Sequence, residues 1–205
     1  SLYQGYCCGF LTKFNITKTN INSGELYYEA AQSKAQLNAP AGEIEVLLDS
    51  AIAVGQKTGL AAPYYLARAQ FFDRKGEYRK ALPDYNQYDS LTHTVDPTFF
   101  YARYKCETKL RMWQQALLDI ARTCYLAPKE PTYFAEWASL DLRVKRIDEG
   151  ISAAKACINL APEYADGYLL LGLLQREKGQ KQESIENLKK AQELGDTRAE
   201  EYLKQ

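Results

Sequence analysis

Apolar and small residues recur along this chain at a fixed spacing. Tyr125-Leu126-Ala127-Pro128 is followed 34 residues later by Asn159-Leu160-Ala161-Pro162, and Glu193-Leu194-Gly195-Asp196 comes after another 34. A period of this length is typical of a solenoid, in which one short helical hairpin is repeated and stacked. The sequence therefore predicts an all-α fold, an α-solenoid of stacked antiparallel helix pairs.

Within each copy, bulky and small residues occupy different positions. In the copy that starts at Ala165, Tyr168 and Leu188 are bulky, whereas Gly172 and Ser184 are small. Bulky side chains fill the space between neighbouring hairpins, and small ones let the two helices of a hairpin approach closely. Glycines such as Gly179 suit the end of a first helix, where the backbone needs positive φ. Prolines that follow the second helices, such as Pro128 and Pro162, end one helix and begin the next.

Two stretches carry a family resemblance, Tyr168-x2-Leu171-Gly172 and Gly76-x-Tyr78-x2-Ala81-x3-Tyr85. On these residues the chain resembles the tetratricopeptide repeat family. The resemblance implies about five copies, near residues 28–61, 62–96, 97–130, 131–164 and 165–198, followed by a C-terminal capping helix. We expect the solenoid to cover residues 26–205 and an irregular N-terminal arm to cover residues 1–25. Tyr104 departs from the pattern in a slot for a small residue, as does Arg103 in a slot for Leu, so the third hairpin is expected to be splayed or shifted by one residue.

Charge and hydropathy exclude two classes of partner. Lys and Arg number 26 and Asp and Glu also number 26, so no overall charge attracts nucleic acid or an anionic membrane. No run of about 18 apolar residues exists that would span a bilayer. The sixteen tyrosines could stack on bases, but most of them fall in packing slots of the repeat. We expect no nucleic acid partner and no membrane span.

The sequence lacks the residues that catalysis usually needs. His93 is the single histidine and lies in a linker between two copies, so neither a His-based metal cluster nor a supported Ser/His/Asp triad is expected. The glycines are scattered over hairpin turns, and none of them forms a phosphate-binding loop. The sequence predicts a protein that is not an enzyme, with no catalytic residue, no metal and no cofactor.

The five cysteines leave the compartment open. Cys106, Cys124 and Cys157 fall inside predicted helices and are expected to be small apolar fillers. For the adjacent pair Cys7-Cys8, an interchain disulfide, a lipid attachment site and no role at all remain open. Unpaired thiols favour the cytoplasm, whereas removal of an upstream export signal would place the chain outside it or at the cell envelope.

The family resemblance implies a concave groove lined by the first helix of each hairpin. The candidate groove residues are Leu66, Gln70, Arg74, Tyr101, Lys105, Lys109, Ser139, Arg143, Leu169, Leu173 and Arg176. Arg74, Lys109, Arg143 and Arg176 form a basic ledge that recurs once per hairpin, with Leu66, Tyr101 and Leu169 as apolar positions beneath it. This pattern favours an extended or helical segment with acidic groups and one or two apolar anchors. A solvated face that only keeps the protein soluble is the alternative.

These observations leave two hypotheses for function. The first is a non-enzymatic scaffold for protein–protein interaction that binds a peptide or protein segment in the groove. The alternative is a structural module that self-associates as a homo-oligomer or docks into a larger assembly, which the apolar run Tyr168-Leu169-Leu170-Leu171-Gly172-Leu173-Leu174 favours. A chaperone adaptor is not expected, because Leu66, Gln70, Ala102, Thr132 and Glu136 replace the carboxylate-clamping residues of that subfamily.

Overall fold

The computed structural model describes residues 23–204, and all regular secondary structure in this range is helical. Two compact units divide the chain between Phe71 and Phe72. The helices are α1 (Ser23–Gln36), α2 (Ala41–Thr58), α3 (Ala62–Arg74), α4 (Tyr78–Thr92), α5 (Pro97–Lys109), α6 (Trp113–Leu126), α7 (Pro131–Arg143), α8 (Ile147–Leu160), α9 (Ala165–Glu177), α10 (Lys181–Glu193) and α11 (Arg198–Leu203). The prediction of an all-α fold is confirmed.

The first unit is built on the hairpin of α1 and α2. Its core includes Ala31, Leu48 and Ala51, all almost completely buried. Ala35, which the 34-residue period assigns to the small slot of the first copy, is exposed instead. Residues 23–25, expected in the N-terminal arm, form the start of α1. The rest of that arm, with Cys7-Cys8, lies outside the described residues.

The second unit repeats one packing arrangement. The helices of each hairpin, α5 with α6, α7 with α8 and α9 with α10, pack against each other, and α8 also packs against α9 of the next hairpin. The first helices α7 and α9 are in contact too, and α11 packs on α10. This order of contacts is that of an α-solenoid, as the 34-residue period predicts.

The turn inside each hairpin has the same backbone conformation. Gly76 and Gly179 have φ of 73° and 84°, which confirms the prediction of positive φ at these slots. Arg111 and Lys145 occupy the same slot in the intervening copies and also have positive φ, 59° and 64°. The residue after each of these turns donates its backbone N–H to a carbonyl in the last turn of the first helix, as in Met112 N to Glu107 O at 2.9 Å. This bond closes the helix end where a side chain would otherwise disfavour the conformation.

The hairpin of α5 and α6 accommodates both residues that depart from the repeat pattern. Tyr104 is 4% exposed and packs on Ala116 and Ile120, so a small residue on α6 makes room for its ring. Arg103 donates to both carboxylate oxygens of Asp119, at 2.6 and 2.9 Å, and to Asp89 at 2.9 Å. A bidentate carboxylate neutralises a guanidinium held largely out of water.

The apolar run at residues 168–174 is used inside the second unit. Leu170, Leu171 and Leu174 belong to the core between α7, α8 and α9. Leu169 is 3% exposed and packs with Leu188, Ala191 and Ala199 of α10 and α11. Most of the run is therefore buried inside the unit, with Tyr168 and Leu173 half-buried, and self-association stays an untested alternative.

Candidate functional site

The first helices of the second unit carry a cluster of tyrosines. The Tyr101 ring of α5 is stacked near Tyr104, with 5.8 Å between the centroids and 20° between the planes. The Tyr133 ring of α7 lies 4.8 Å from Tyr101, centroid to centroid. Tyr101 and Tyr133 are half-buried, so part of each ring faces solvent. We call Tyr101, Tyr104, Tyr133 and the carboxylate of Glu136 the tyrosine site.

Two hydroxyls of the tyrosine site hold the Glu136 carboxylate. Tyr101 donates to Glu136 Oε1 at 3.3 Å, and Tyr104 donates to Glu136 Oε2 at 3.1 Å. Burial, and then the charge of Glu136, raises the pKa of Tyr101 to about 12 and moves the pKa of Tyr104 in the same direction. Both hydroxyls therefore keep their protons at neutral pH and remain donors. Among residues 23–204, no Lys or Arg is paired with Glu136, although its side chain is half-buried.

The predicted basic residues of the second unit differ in their environments. Lys109 and Arg74 are exposed and form no ion pair with any described residue. Lys105 places its Nζ 5.0 Å from the centroid of the Tyr101 ring. Arg143 is exposed and has its guanidinium carbon 5.8 Å from the centroid of Trp113. Three of these side chains, Lys105, Lys109 and Arg143, project from α5 and α7 without a carboxylate partner in the described chain.

Two of the predicted groove residues, Leu169 and Arg176, contact the last helices of the described chain. Leu169 is buried because α10 and α11 cover it, and Leu173 is half-buried against the same cluster. Arg176 lies with its guanidinium carbon 4.9 Å from the Tyr202 ring centroid and donates to the Tyr202 carbonyl at 3.4 Å. The α9 residue of the basic ledge, Arg176, therefore already contacts α11 of the same chain.

The remaining predicted groove residues show no site of their own. Ser139 on α7 is half-buried. Leu66 and Gln70 belong to the first unit, where Leu66 is half-buried and Gln70 is exposed. The structure thus brings Tyr101 together with Lys105 of the same helix and with Glu136 of the next hairpin.

A column of polar side chains, three of them buried and one half-buried, runs through the hairpins, and the sequence analysis missed it. Asp73, Glu107, Asp141 and Gln175 follow each other at 34-residue intervals near the ends of the first helices. The residue 12 positions after each member lies on the second helix of the same hairpin. Tyr85 donates to Asp73 at 3.3 Å, and Asn187 donates to Gln175 at 2.8 Å.

The hairpin of α5 and α6 contributes two acids to this column, Glu107 and Asp119. Glu107 is 4% exposed, and burial, together with the charge and hydrogen bond of Asp119, raises the pKa of Glu107 to about 8. A protonated Glu107 donates to Asp119, whose charge Arg103 balances. With this pKa, Glu107 is mostly protonated at neutral pH.

Asp141 is the member of the column without a hydrogen-bonding partner. The position 12 residues later is Ala153, which has no polar group, and neither carboxylate oxygen of Asp141 forms a hydrogen bond with a described residue. The nearest cation is Arg146, with its Nε 3.7 Å from Oδ1. Burial raises the pKa of Asp141 to about 6, and Arg146 opposes this shift. The 34-residue spacing of carboxyl and amide residues was the sequence signal for the whole column.

The other chemically reactive side chains show no catalytic arrangement in the described part of the chain. His93 is exposed and ends α4 with φ of 48°. Cys106, Cys124 and Cys157 are free and buried, as expected, and burial raises the pKa of each thiol, to about 11 for Cys157. Among residues 23–204, no three His, Cys, Asp or Glu side chains converge to hold a metal ion. No helix in this range is both long and apolar enough to cross a bilayer.

Comparison with known proteins agrees with this architecture. The sequence profile of the tetratricopeptide repeat family matches residues 165–194, which span α9 and α10. No curated protein matches the chain. Among solved structures, the chain is similar to YrrB, a TPR protein with an unusual peptide-binding site, at 19% identity and a TM-score of 0.76 over 87% of this chain and 90% of that one.

Two further solved structures share the fold. MamA from Desulfovibrio magneticus RS-1 is similar at 16% identity and a TM-score of 0.71, over 87% of this chain and 100% of that one. A tetratricopeptide repeat protein from Parabacteroides merdae ATCC 43184 is similar at 16% identity and a TM-score of 0.74, over 88% of this chain and 71% of that one.

Proposed function

We propose that the chain is a tetratricopeptide repeat protein, which its fold and the match of residues 165–194 support, and that it acts as a scaffold that binds a peptide segment of another protein. Proteins of this fold are generally non-enzymatic interaction scaffolds. The segment would lie on the first helices of the second unit, across α5 and α7. YrrB, which has a peptide-binding site, lends support through the shared fold.

One observation carries this proposal. Lys109 and Arg143 end successive first helices, are exposed, and have no carboxylate partner among residues 23–204. Nearby cations do have such partners, as in the pair of Lys145 and Glu177 at 2.5 Å and that of Lys178 and Asp148 at 2.7 Å. Two unpaired cations on the same helices as the half-buried Tyr101 and Tyr133 fit acidic groups on a segment that also carries an apolar anchor.

Energetics limit what the basic residues contribute. Each exposed ion pair would contribute at most about 1 kcal/mol, and salt would screen it. Charge therefore steers the segment and sets its position, whereas contact with the tyrosine rings would supply most of the affinity.

A peptide-display selection on the immobilised full chain tests the proposal. We expect enriched peptides to bind the wild type and to lose about tenfold or more in affinity for the double variant Lys109→Glu with Arg143→Glu. Lys155→Glu with Lys189→Glu makes the same charge change at two exposed positions of second helices and should leave binding unchanged. Equal binding to both double variants, or no enrichment over a blank surface, would refute the proposal.

A further inference from the structure

The tyrosine site holds a carboxylate that forms no ion pair with any Lys or Arg among residues 23–204. Glu136 accepts one hydroxyl on each of its two oxygens, from Tyr101 and from Tyr104. Hydroxyl donors fix the position of a carboxylate, but they leave its negative charge in place. A half-buried charge without a counter-ion is costly, and a cation brought by a ligand would relieve that cost.

The rings around this carboxylate suit a cation as well. Tyrosine faces attract ammonium and guanidinium groups within about 6 Å of the ring centroid. The chain already shows this contact, because Lys105 Nζ lies 5.0 Å from the centroid of Tyr101. Beside the carboxylate there are three tyrosine rings. The centroid of Tyr101 lies less than 6 Å from the centroids of both Tyr104 and Tyr133.

Further carboxylates surround the same end of the first helices. The charges of Glu130 and Asp96 act on the Tyr133 hydroxyl, whose pKa burial and these charges raise. Asp96 caps α5 and Glu130 precedes α7, whereas Lys109 and Arg143 stand at the opposite ends of these helices. The face is therefore acidic at one edge and basic at the other.

From this arrangement we infer that the tyrosine site binds a lysine or arginine side chain of the bound segment, with Glu136 as its counter-ion. The inference rests on the proposed function, which it deepens by stating the chemistry of the partner. The segment then carries both signs of charge: a basic residue at the tyrosine site and acidic residues toward Lys109 and Arg143. A purely acidic segment would leave Glu136 unpaired and would meet repulsion at the acidic edge.

Two peptide-display libraries of equal length distinguish this inference from the proposed function. One library contains all residue types, and the other lacks Lys and Arg. We expect peptides from the complete library to share a basic residue and to lose about tenfold in affinity when that residue is changed to Gln. Glu136→Gln should cause a similar loss, and the two changes together should cost little more than either alone, which is the signature of direct pairing.

Two control variants separate charge from shape. Glu186→Gln makes the same change at an exposed position of a second helix and should leave affinity unchanged. Tyr101→Phe keeps the ring and removes one donor to Glu136, so it should weaken binding less than Glu136→Gln does. Circular dichroism would verify that all three variants keep the helicity of the wild type.

The outcomes separate the two proposals. The library without Lys and Arg could also yield peptides that bind the chain. If their binding is lost with Lys109→Glu plus Arg143→Glu but unchanged with Glu136→Gln, the inference is overturned and the proposed function stays intact. Additive losses for Glu136→Gln and the peptide change would also overturn it. Binding that neither set of variants affects would overturn both proposals.

Discussion

Asp141 gives the sharpest test of the structure, because its carboxyl group is fully buried and lacks a hydrogen bond. Its exposed fraction is 0%, and the one nearby cation, Arg146, is 3.7 Å away and itself 40% exposed. Burial disfavours the ionised form, so the pKa of Asp141 rises from 3.8 to about 6 in the folded chain. We predict that Asp141→Asn stabilises the protein more at neutral pH than at acidic pH.

The magnitude follows from the two pKa values. Because the folded pKa is the higher one, the folded chain holds this proton more tightly, and stability is greatest below about pH 4 and falls as the pH rises through about 6. The cost of ionising Asp141 is roughly 1 kcal/mol near pH 4.5 and roughly 3 kcal/mol near pH 7.5. The gain from Asp141→Asn should therefore be about 2 kcal/mol larger at the higher pH. This difference does not depend on how well the asparagine packs, since packing contributes equally at both values.

Urea unfolding followed by circular dichroism at the two pH values measures the difference. Asp148→Asn is the matched control, because Asp148 is 77% exposed and paired with Lys178. Its effect should stay within about 0.5 kcal/mol at both values. An equal effect of Asp141→Asn at the two pH values would refute the reasoning, since the buried carboxyl would then titrate as it does in the unfolded chain.

The remaining predictions concern the packing of the last full hairpin and a second buried acid. Gly172→Leu should cost on the order of 1–3 kcal/mol in unfolding free energy, because a Cβ there would lie 2.8 Å from Leu188 Cγ, whereas Lys181→Leu at an exposed site should change it by less than about 0.5 kcal/mol. Equal effects in thermal unfolding would show that the helix register is wrong. In the wild type, the unfolding free energy should fall as the pH rises toward the raised Glu107 pKa of about 8. Glu107→Gln keeps a donor toward Asp119 but cannot ionise, so this fall should be shallower in the variant. A stability curve of unchanged slope in urea titrations would contradict the protonated acid pair.

The 34-residue period was sufficient to predict the helical hairpins and their turns. Gly76 and Gly179 indicated positive φ, and Arg111 and Lys145 adopt it in the same slot although their side chains disfavour it. The hydrogen bonds that close each helix end override the local preference there. Ala35 shows the limit of the period, since the 34-residue spacing assigns it to a slot for a small buried residue and the first hairpin leaves it exposed.

The candidate site was predictable only in part. Periodicity placed Tyr101 and Lys105 on one face, but it could not show that the Tyr101 hydroxyl reaches Glu136, because that contact joins two copies. It also placed Leu169 and Arg176 in the groove, where α11 covers the first and holds the second. Contacts between copies and at the end of the stack depend on how the helices are oriented, and a single-copy pattern does not contain that information.

The polar column has a consequence for the pairing of helices during folding, because the hairpins are similar to one another. Tandem copies have similar shapes, so a first helix can pack incorrectly on the second helix of another copy. The hydrogen-bonding partners differ from hairpin to hairpin, because Tyr85 donates to Asp73 whereas Asn187 donates to Gln175. A swapped assembly would place a carboxylate or an amide against an unsuitable partner, at about 1–3 kcal/mol for each stranded group. The column thus works as a set of distinct keys, and Asp141 is the one member of the column whose carboxylate has no hydrogen-bonding partner among the described residues.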